Sequence, residues 1–162
     1  NVVKNVIVNL SKKNKIKIIQ QTHKSNIDHL KNIYDKAEIE NTIFDFEENL
    51  ADLINQSDLC ITRAGASTLA ELSIMNKPFL TIPLVSAKDN HQFENANFYQ
   101  NLGCCWIMNQ KDFNEVNLEK FLNHIIMNKS EYNIKKNNLE KHNSQNSWNN
   151  INQKILEIIN EN

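Results

Sequence analysis

Short apolar runs alternate along the chain with stretches whose apolar residues recur every three or four positions. Val2, Val3, Val6, Ile7 and Leu10 share one helical stripe, so the chain opens inside a helix. It reads as a fragment, or as a chain whose earlier strand and loop lie outside the residues given. Ile16–Ile19 predicts a strand. Ile27, Leu30, Ile33 and Tyr34 predict a helix capped by Ser25 or Asn26. Thr42–Phe46 is a second strand, Leu50–Ile54 a short helix and Leu59–Thr62 a third strand. A helix over Ala66–Met75 stops before Pro78, and Phe79–Pro83 forms a fourth strand. A helix from about Asn90 to Asn101 leads to a fifth strand, Cys104–Met108. Beyond it come an amphipathic helix over Val116–Met127, a weak polar one over Glu131–His142, and a stripe of Trp148, Ile151, Ile155, Ile158 and Ile159.

Strands that are short and apolar on both faces, separated by helices, predict an α/β fold with a doubly wound, Rossmann-like parallel sheet. Ligands of such sheets lie beyond the carboxyl ends of the strands. That directs attention to the loops Phe46–Asn49, Arg63–Thr68 and Leu84–Gln92. No internal repeat or linker marks a second domain, so residues 1–162 are expected to form one domain.

Composition narrows the function classes. A net charge of −1 gives no field that would draw nucleic acid. No apolar run approaches the roughly eighteen residues of a membrane span. Cys60, Cys104 and Cys105 lack metal-ligand spacing, and neighbouring strand cysteines point to opposite faces, so reduced thiols are expected. No metal is expected, because no Asp-x-Asp pair is present, and no cofactor is expected.

The candidate chemistry concentrates in residues 62–72. The chain has one arginine, Arg63, and two glycines, of which Gly65 lies two positions on. Gly65 lets backbone N–H groups face a ligand where a strand turns into a helix, and the helix start suits phosphate oxygens. Ala66 opens that helix, Ser67 and Thr68 add hydroxyls, and Glu71 can accept two hydroxyl protons from a ribose. The plainer alternative is a capping box, since Thr68 and Glu71 have the Thr-x-x-Glu spacing; Arg63 has the alternative of a structural salt bridge. His91, Gln92 and Asn95 gather neutral hydrogen-bonding groups on one helix start, suited to sugar hydroxyls or simply to a solvated face. Asp89 or Asn90 would cap that helix. Phe46 and Glu47 read as a strand end and helix cap, with backbone free to meet a planar base.

The run from Asp58 through Thr62, Arg63, Gly65, Thr68 and Glu71, then Lys77-Pro78, Ile82-Pro83 and Asp89-Asn90-His91-Gln92 through Asn95-Ala96, resembles the C-terminal domain of the MurG family. These are bacterial UDP-N-acetylglucosamine transferases of the GT-B fold, acting on a lipid-linked muramyl-pentapeptide. The resemblance implies that Phe46 and Glu47 meet the uracil and that Ala66, Ser67 and Thr68 meet the diphosphate. It places Glu71 on the ribose and His91, Gln92 and Asn95 on the N-acetylglucosamine. It further implies inverting transfer at the cytoplasmic face of the bacterial membrane by a peripheral enzyme. The family's first strand, its glycine-rich phosphate loop and its N-terminal acceptor domain have no counterpart here, so no catalytic residue is expected in this chain. The alternatives are the donor half of another GT-B enzyme, such as the split dolichol-linked transferase, and a nucleotide-sugar binding module without chemistry.

Overall fold

The computed structural model describes residues 2–86 and 90–146. The stripe from Trp148 to Ile159 and the Lys88-Asp89 pair lie outside them. The chain divides into two compact units, one comprising the residues up to Ser57 with Met108–Lys129, the other Asp58–Ile107 with the residues from Ser130 on.

The first unit contains α1 (Val2–Ser11), β1 (Lys17–Gln21), α2 (Ile27–Lys36), β2 (Glu40–Phe44), α3 (Leu50–Asn55) and α6 (Glu115–Met127). β1 and β2 pair in parallel from Lys17↔Glu40 to Gln21↔Phe44. Pairing thus ends two residues earlier than the apolar pattern suggests, and Phe46 stands beyond the strand, exposed. Val6, Ile7, Leu10, Leu30, Tyr34, Ile43, Leu118 and Leu122 are buried. α1 and α6 run in the same direction, joined by Asn5 to Glu115 and Asn9 to Glu119, each at 2.6 Å. The repeat of four on both helices brings successive pairs into register. Neither Ser25 nor Asn26 caps α2 through its side chain. Instead His23 Nδ1 accepts from the Ser25 N–H and closes a 3-10 turn, Lys24–Asn26, ahead of the helix.

The second unit contains β3 (Cys60–Thr62), α4 (Ala66–Ile74), β4 (Phe79–Thr81), α5 (His91–Asn101), β5 (Cys105–Ile107) and α7 (Lys129–Gln145). The strand order is β3-β4-β5, all parallel. β4 is central and wholly buried, which accounts for its unbroken apolar run. Leu69, Leu72, Ala96, Cys104, Cys105 and Leu139 complete this core. The five strands among the described residues are therefore all parallel, in two separate ladders.

α7 is longer than its polar sequence suggests, at 17 residues. Leu139 is its one buried residue, and polar side chains do most of the anchoring. Trp106 Nε1 donates to Glu131 at 2.6 Å, Tyr132 Oη to the Asp58 carbonyl at 2.9 Å, and Asn143 Nδ2 to the Ser73 carbonyl at 2.6 Å. Bonds of this kind leave no hydrophobic period in the sequence.

Three helices that lead into the next strand end alike. Glu38, Asn76 and Gly103 each take a left-handed backbone, at φ 55°, 54° and 69°. The N–H of each and that of the residue after it turn back to helix carbonyls, as Gly103 to Gln100 and Cys104 to Tyr99. At Gly103 a Cβ would lie 2.6 Å from Asn138 Nδ2, which donates to the Gly103 carbonyl. Gly103→Ala is expected to destabilise the fold by about 2 kcal/mol, from backbone strain and the displaced bond. Urea denaturation of the variant measures this, and an unchanged midpoint would refute it.

Burial also makes the fold sensitive to base. The Tyr34 hydroxyl donates to Gln20 at 2.8 Å, and burial pushes its pKa up to about 12. Burial likewise pushes the Cys105 thiol up to about 12. Unfolded chains would lose these protons first, near pH 10 for tyrosine and 9 for cysteine. The stabilisation is complete below those values and is lost as pH rises toward 12. The melting temperature should therefore hold to pH 9 and fall above pH 10, and Tyr34→Phe should blunt the fall.

Candidate functional site

The second unit brings most of the candidate residues together. β3 ends at Thr62 and β4 at Thr81, paired side by side, and the Ile82 N–H still bonds the Thr62 carbonyl at 2.9 Å. The loops that follow thus leave the sheet as neighbours at its carboxyl end. Arg63 Nη1 donates to the Ile82 carbonyl at 2.9 Å. The bond braces one loop against the other, and the partner is a carbonyl where a salt bridge was one expectation.

α4 begins immediately after the Gly65 turn, with Gly65 as N-cap and no side chain capping the helix. Thr68 is therefore the third helical residue and Glu71 lies in the second turn, so their spacing does not close the helix start. The capping-box alternative fails on that geometry. Ala66 and Ser67 are exposed, Thr68 is half-buried, and Glu71 is exposed on the same side as Thr68. Gly65 itself has φ −69° and ψ 132°, an ordinary extended backbone open to any residue. A Cβ there would meet only Thr68 Oγ1, at 3.8 Å. The turn therefore does not depend on glycine's conformational freedom, and none of the described residues lies close enough to exclude a Cβ at 65. No side chain at position 65 itself stands beside the α4 N–H groups.

α5 starts at His91, with Asn90 at its N-cap in a left-handed conformation, φ 56°. Asn90 makes no side-chain cap bond, contrary to one expectation, and Asp89 lies outside the described residues. Gln92 Oε1 accepts from the Leu84 N–H at 2.9 Å, and Asn95 Nδ2 donates to the Ala64 carbonyl at 3.1 Å. Both are half-buried, while His91 is exposed. Gln92 and Asn95 are therefore built into the loops and do not belong to a freely solvated face. Ala64 and Leu84 contribute main-chain groups that side-chain reading does not reveal; Ala64 is fully buried.

Phe46 and Glu47 belong to the first unit, past the end of β2. Phe46 is 76% exposed. Glu47 accepts from the Asn49 N–H at 3.0 Å, shaping the entry to α3.

The parallel α/β fold, with polar loops gathered past the strand ends, is similar to that of solved glycosyltransferases. MurG of Acinetobacter baumannii superposes with a TM-score of 0.73 at 23% identity, over 85% of this chain and 40% of that one. The glycosyltransferase of kitacinnamycin superposes with a TM-score of 0.61 at 15% identity, over 87% of this chain and 34% of that one. A family model, the glycosyltransferase family 28 C-terminal domain, matches residues 1–154, and the chain belongs to that family. Among relatives, the UDP-N-acetylglucosamine--N-acetylmuramyl-(pentapeptide) pyrophosphoryl-undecaprenol N-acetylglucosamine transferase of Pelagibacter ubique (strain HTCC1062) is 51% identical over 99% of this chain and 45% of its own length. The transferase of the same name from Rickettsia bellii (strain RML369-C) is 38% identical over 70% of this chain and 32% of its own length. The chain thus spans less than half the length of these curated relatives.

Proposed function

We propose that this chain is the donor-binding part of an inverting transferase that moves N-acetylglucosamine from UDP-N-acetylglucosamine to a lipid-linked muramyl-pentapeptide in peptidoglycan synthesis. The uncapped start of α4 carries the reading. Its first N–H groups have no side-chain cap, its dipole favours an anion, and the residue before it carries no side chain although among the described residues a Cβ there would meet only Thr68 Oγ1 at 3.8 Å. The donor diphosphate fits there, where it would also be stabilised as the leaving group. Glu71 would accept from the ribose hydroxyls. The Gln92 amide NH2 and the Asn95 carbonyl oxygen, not used in the loop contacts, would serve the sugar with His91. The identity of 51% across 99% of the chain with a transferase named for this donor and acceptor supports the assignment.

The acceptor and the groups that activate it would belong to the portion of the relatives that this chain does not span, so residues 1–162 would act as the donor domain of a longer enzyme. A lipid-linked acceptor places the work of such an enzyme at the membrane surface, on the cytoplasmic face where UDP-sugars are found. Among the described residues no helix is long and apolar enough to cross a membrane, so attachment would be peripheral or through the remainder of the protein. The test is calorimetric titration of the chain with UDP, UDP-N-acetylglucosamine and UDP-glucose. Binding of the first two, with UDP-glucose weaker than UDP-N-acetylglucosamine, is expected; absence of UDP binding would overturn the reading.

A further inference from the structure

Three hydrogen bonds around the candidate site close on themselves. Arg63, on the loop after β3, donates to the Ile82 carbonyl on the loop after β4. Leu84, on that second loop, donates its N–H to Gln92 on the first turn of α5. Asn95, one turn further along α5, donates to the Ala64 carbonyl, beside Arg63 and Gly65. The path runs from the first loop to the second, to the helix and back to the first, through contacts of 2.9, 2.9 and 3.1 Å. The strand ladder ends with the bond from the Ile82 N–H to the Thr62 carbonyl, so beyond it these side chains carry the connection between the loops.

We propose that Arg63, Gln92 and Asn95 act together as positioning residues, a closed ring that sets where the Gly65 turn stands relative to the start of α5. The identity of the ligand rests on the reading above; the ring rests on the bonds themselves. Each bond joins a side chain to a main-chain group, so each fixes the path of a loop. Ala64 is fully buried, and its carbonyl is the atom nearest in sequence to Gly65 that α5 holds. A turn held in this way keeps the α4 N–H groups aimed before the ligand arrives, which lowers the ordering cost of binding. It follows that Gln92 and Asn95 influence the diphosphate as well as the sugar, although they stand on another helix.

The closing experiment compares UDP, which carries no sugar, with UDP-N-acetylglucosamine. Gln92→Leu removes the acceptor for the Leu84 N–H, whereas Gln92→Glu keeps it. Asn95→Asp keeps an acceptor toward a sugar but cannot donate to the Ala64 carbonyl. Loss of one ring bond should weaken UDP about fivefold to tenfold in Gln92→Leu and Asn95→Asp. Gln92→Glu, which keeps the acceptor, should restore the slow exchange of the Leu84 N–H that Gln92→Leu loses, and fast exchange in both would overturn the ring. UDP affinity unchanged in Gln92→Leu and Asn95→Asp, with only the sugar nucleotide weakened, would make both residues plain sugar contacts and overturn the ring. Amide hydrogen exchange on the full chain supplies a readout that needs no ligand. In Asn95→Asp the Leu84 N–H, which Asn95 does not bond, should exchange several-fold faster; unchanged exchange there would also overturn the ring. Failure of the parent chain to bind UDP would defeat the donor-site reading and leave the exchange result to decide the ring.

Discussion

Replacing Gly65 by aspartate is expected to raise the melting temperature by about 2–4 °C and to lower the affinity for UDP about a hundredfold or more. The two effects have one origin. Position 65 is the N-cap of α4, in an extended conformation that aspartate adopts freely, and its nearest neighbour, Thr68 Oγ1, leaves room at 3.8 Å for a Cβ. A carboxylate there would cap helix N–H groups that no side chain now caps, and it would complement the helix dipole. It would also restrict the unfolded chain. Together these gains come to about 1 kcal/mol. The same carboxylate would occupy the donors proposed for the diphosphate and place a negative charge against it. Gly65→Asn is the neutral counterpart: similar stability, a smaller loss of affinity, and a difference from the aspartate variant that shrinks with added salt. Thermal melts and UDP titrations of both variants check the prediction. A stabilised aspartate variant that binds UDP like the parent would move the diphosphate away from α4.

The second large effect is expected at Glu71. Glu71→Ala should weaken UDP binding about a hundredfold, because a carboxylate that accepts two hydroxyl protons contributes charge-assisted bonds of about 1.5–3 kcal/mol each. Stability should stay within about 0.5 kcal/mol, since the residue is an exposed helix position and alanine is a strong helix former. Glu71→Gln, which keeps an acceptor but no charge, should lie between the two. A ligand-side control sharpens the assignment. Removing the ribose 2′-hydroxyl should cost the parent protein affinity and cost Glu71→Ala almost nothing. If 2′-deoxy-UDP and 3′-deoxy-UDP discriminate equally well in both proteins, Glu71 does not hold the ribose.

The two predictions separate binding from folding, which matters because the candidate residues differ in how far each depends on the rest of the protein. Glu71 and the start of α4 are local features. Arg63, Gln92 and Asn95 have main-chain partners at least 19 residues away in sequence for Arg63 and 31 for Asn95, and 8 for Gln92. Substitutions at these three change a loop as well as a contact, so a loss of binding there has two sources that the UDP comparison divides.

The order of elements was legible in the residues alone. Hydrophobic period is a local property, and it located the five strands and the helices between them to within a few residues, including the start of α4 at Ala66. The site loops followed, since they are the segments after the strands, and the motif from Thr62 to Glu71 drew attention to a turn that proves uncapped. Three matters were decided only by the tertiary structure. Which residue caps α4 depends on backbone angles at Gly65, and the Thr-x-x-Glu spacing was compatible with a start that the chain does not use. α7 docks through asparagine, tyrosine and glutamate bonds to groups brought near by folding, so no apolar stripe announced its length. The ring of Arg63, Gln92 and Asn95 closes on carbonyl and N–H groups that every residue carries alike. Side-chain pattern determines which segments become strands and helices; which main-chain atoms a polar side chain will meet is set by the path of the loops, and that path exists only once the parallel strands have paired.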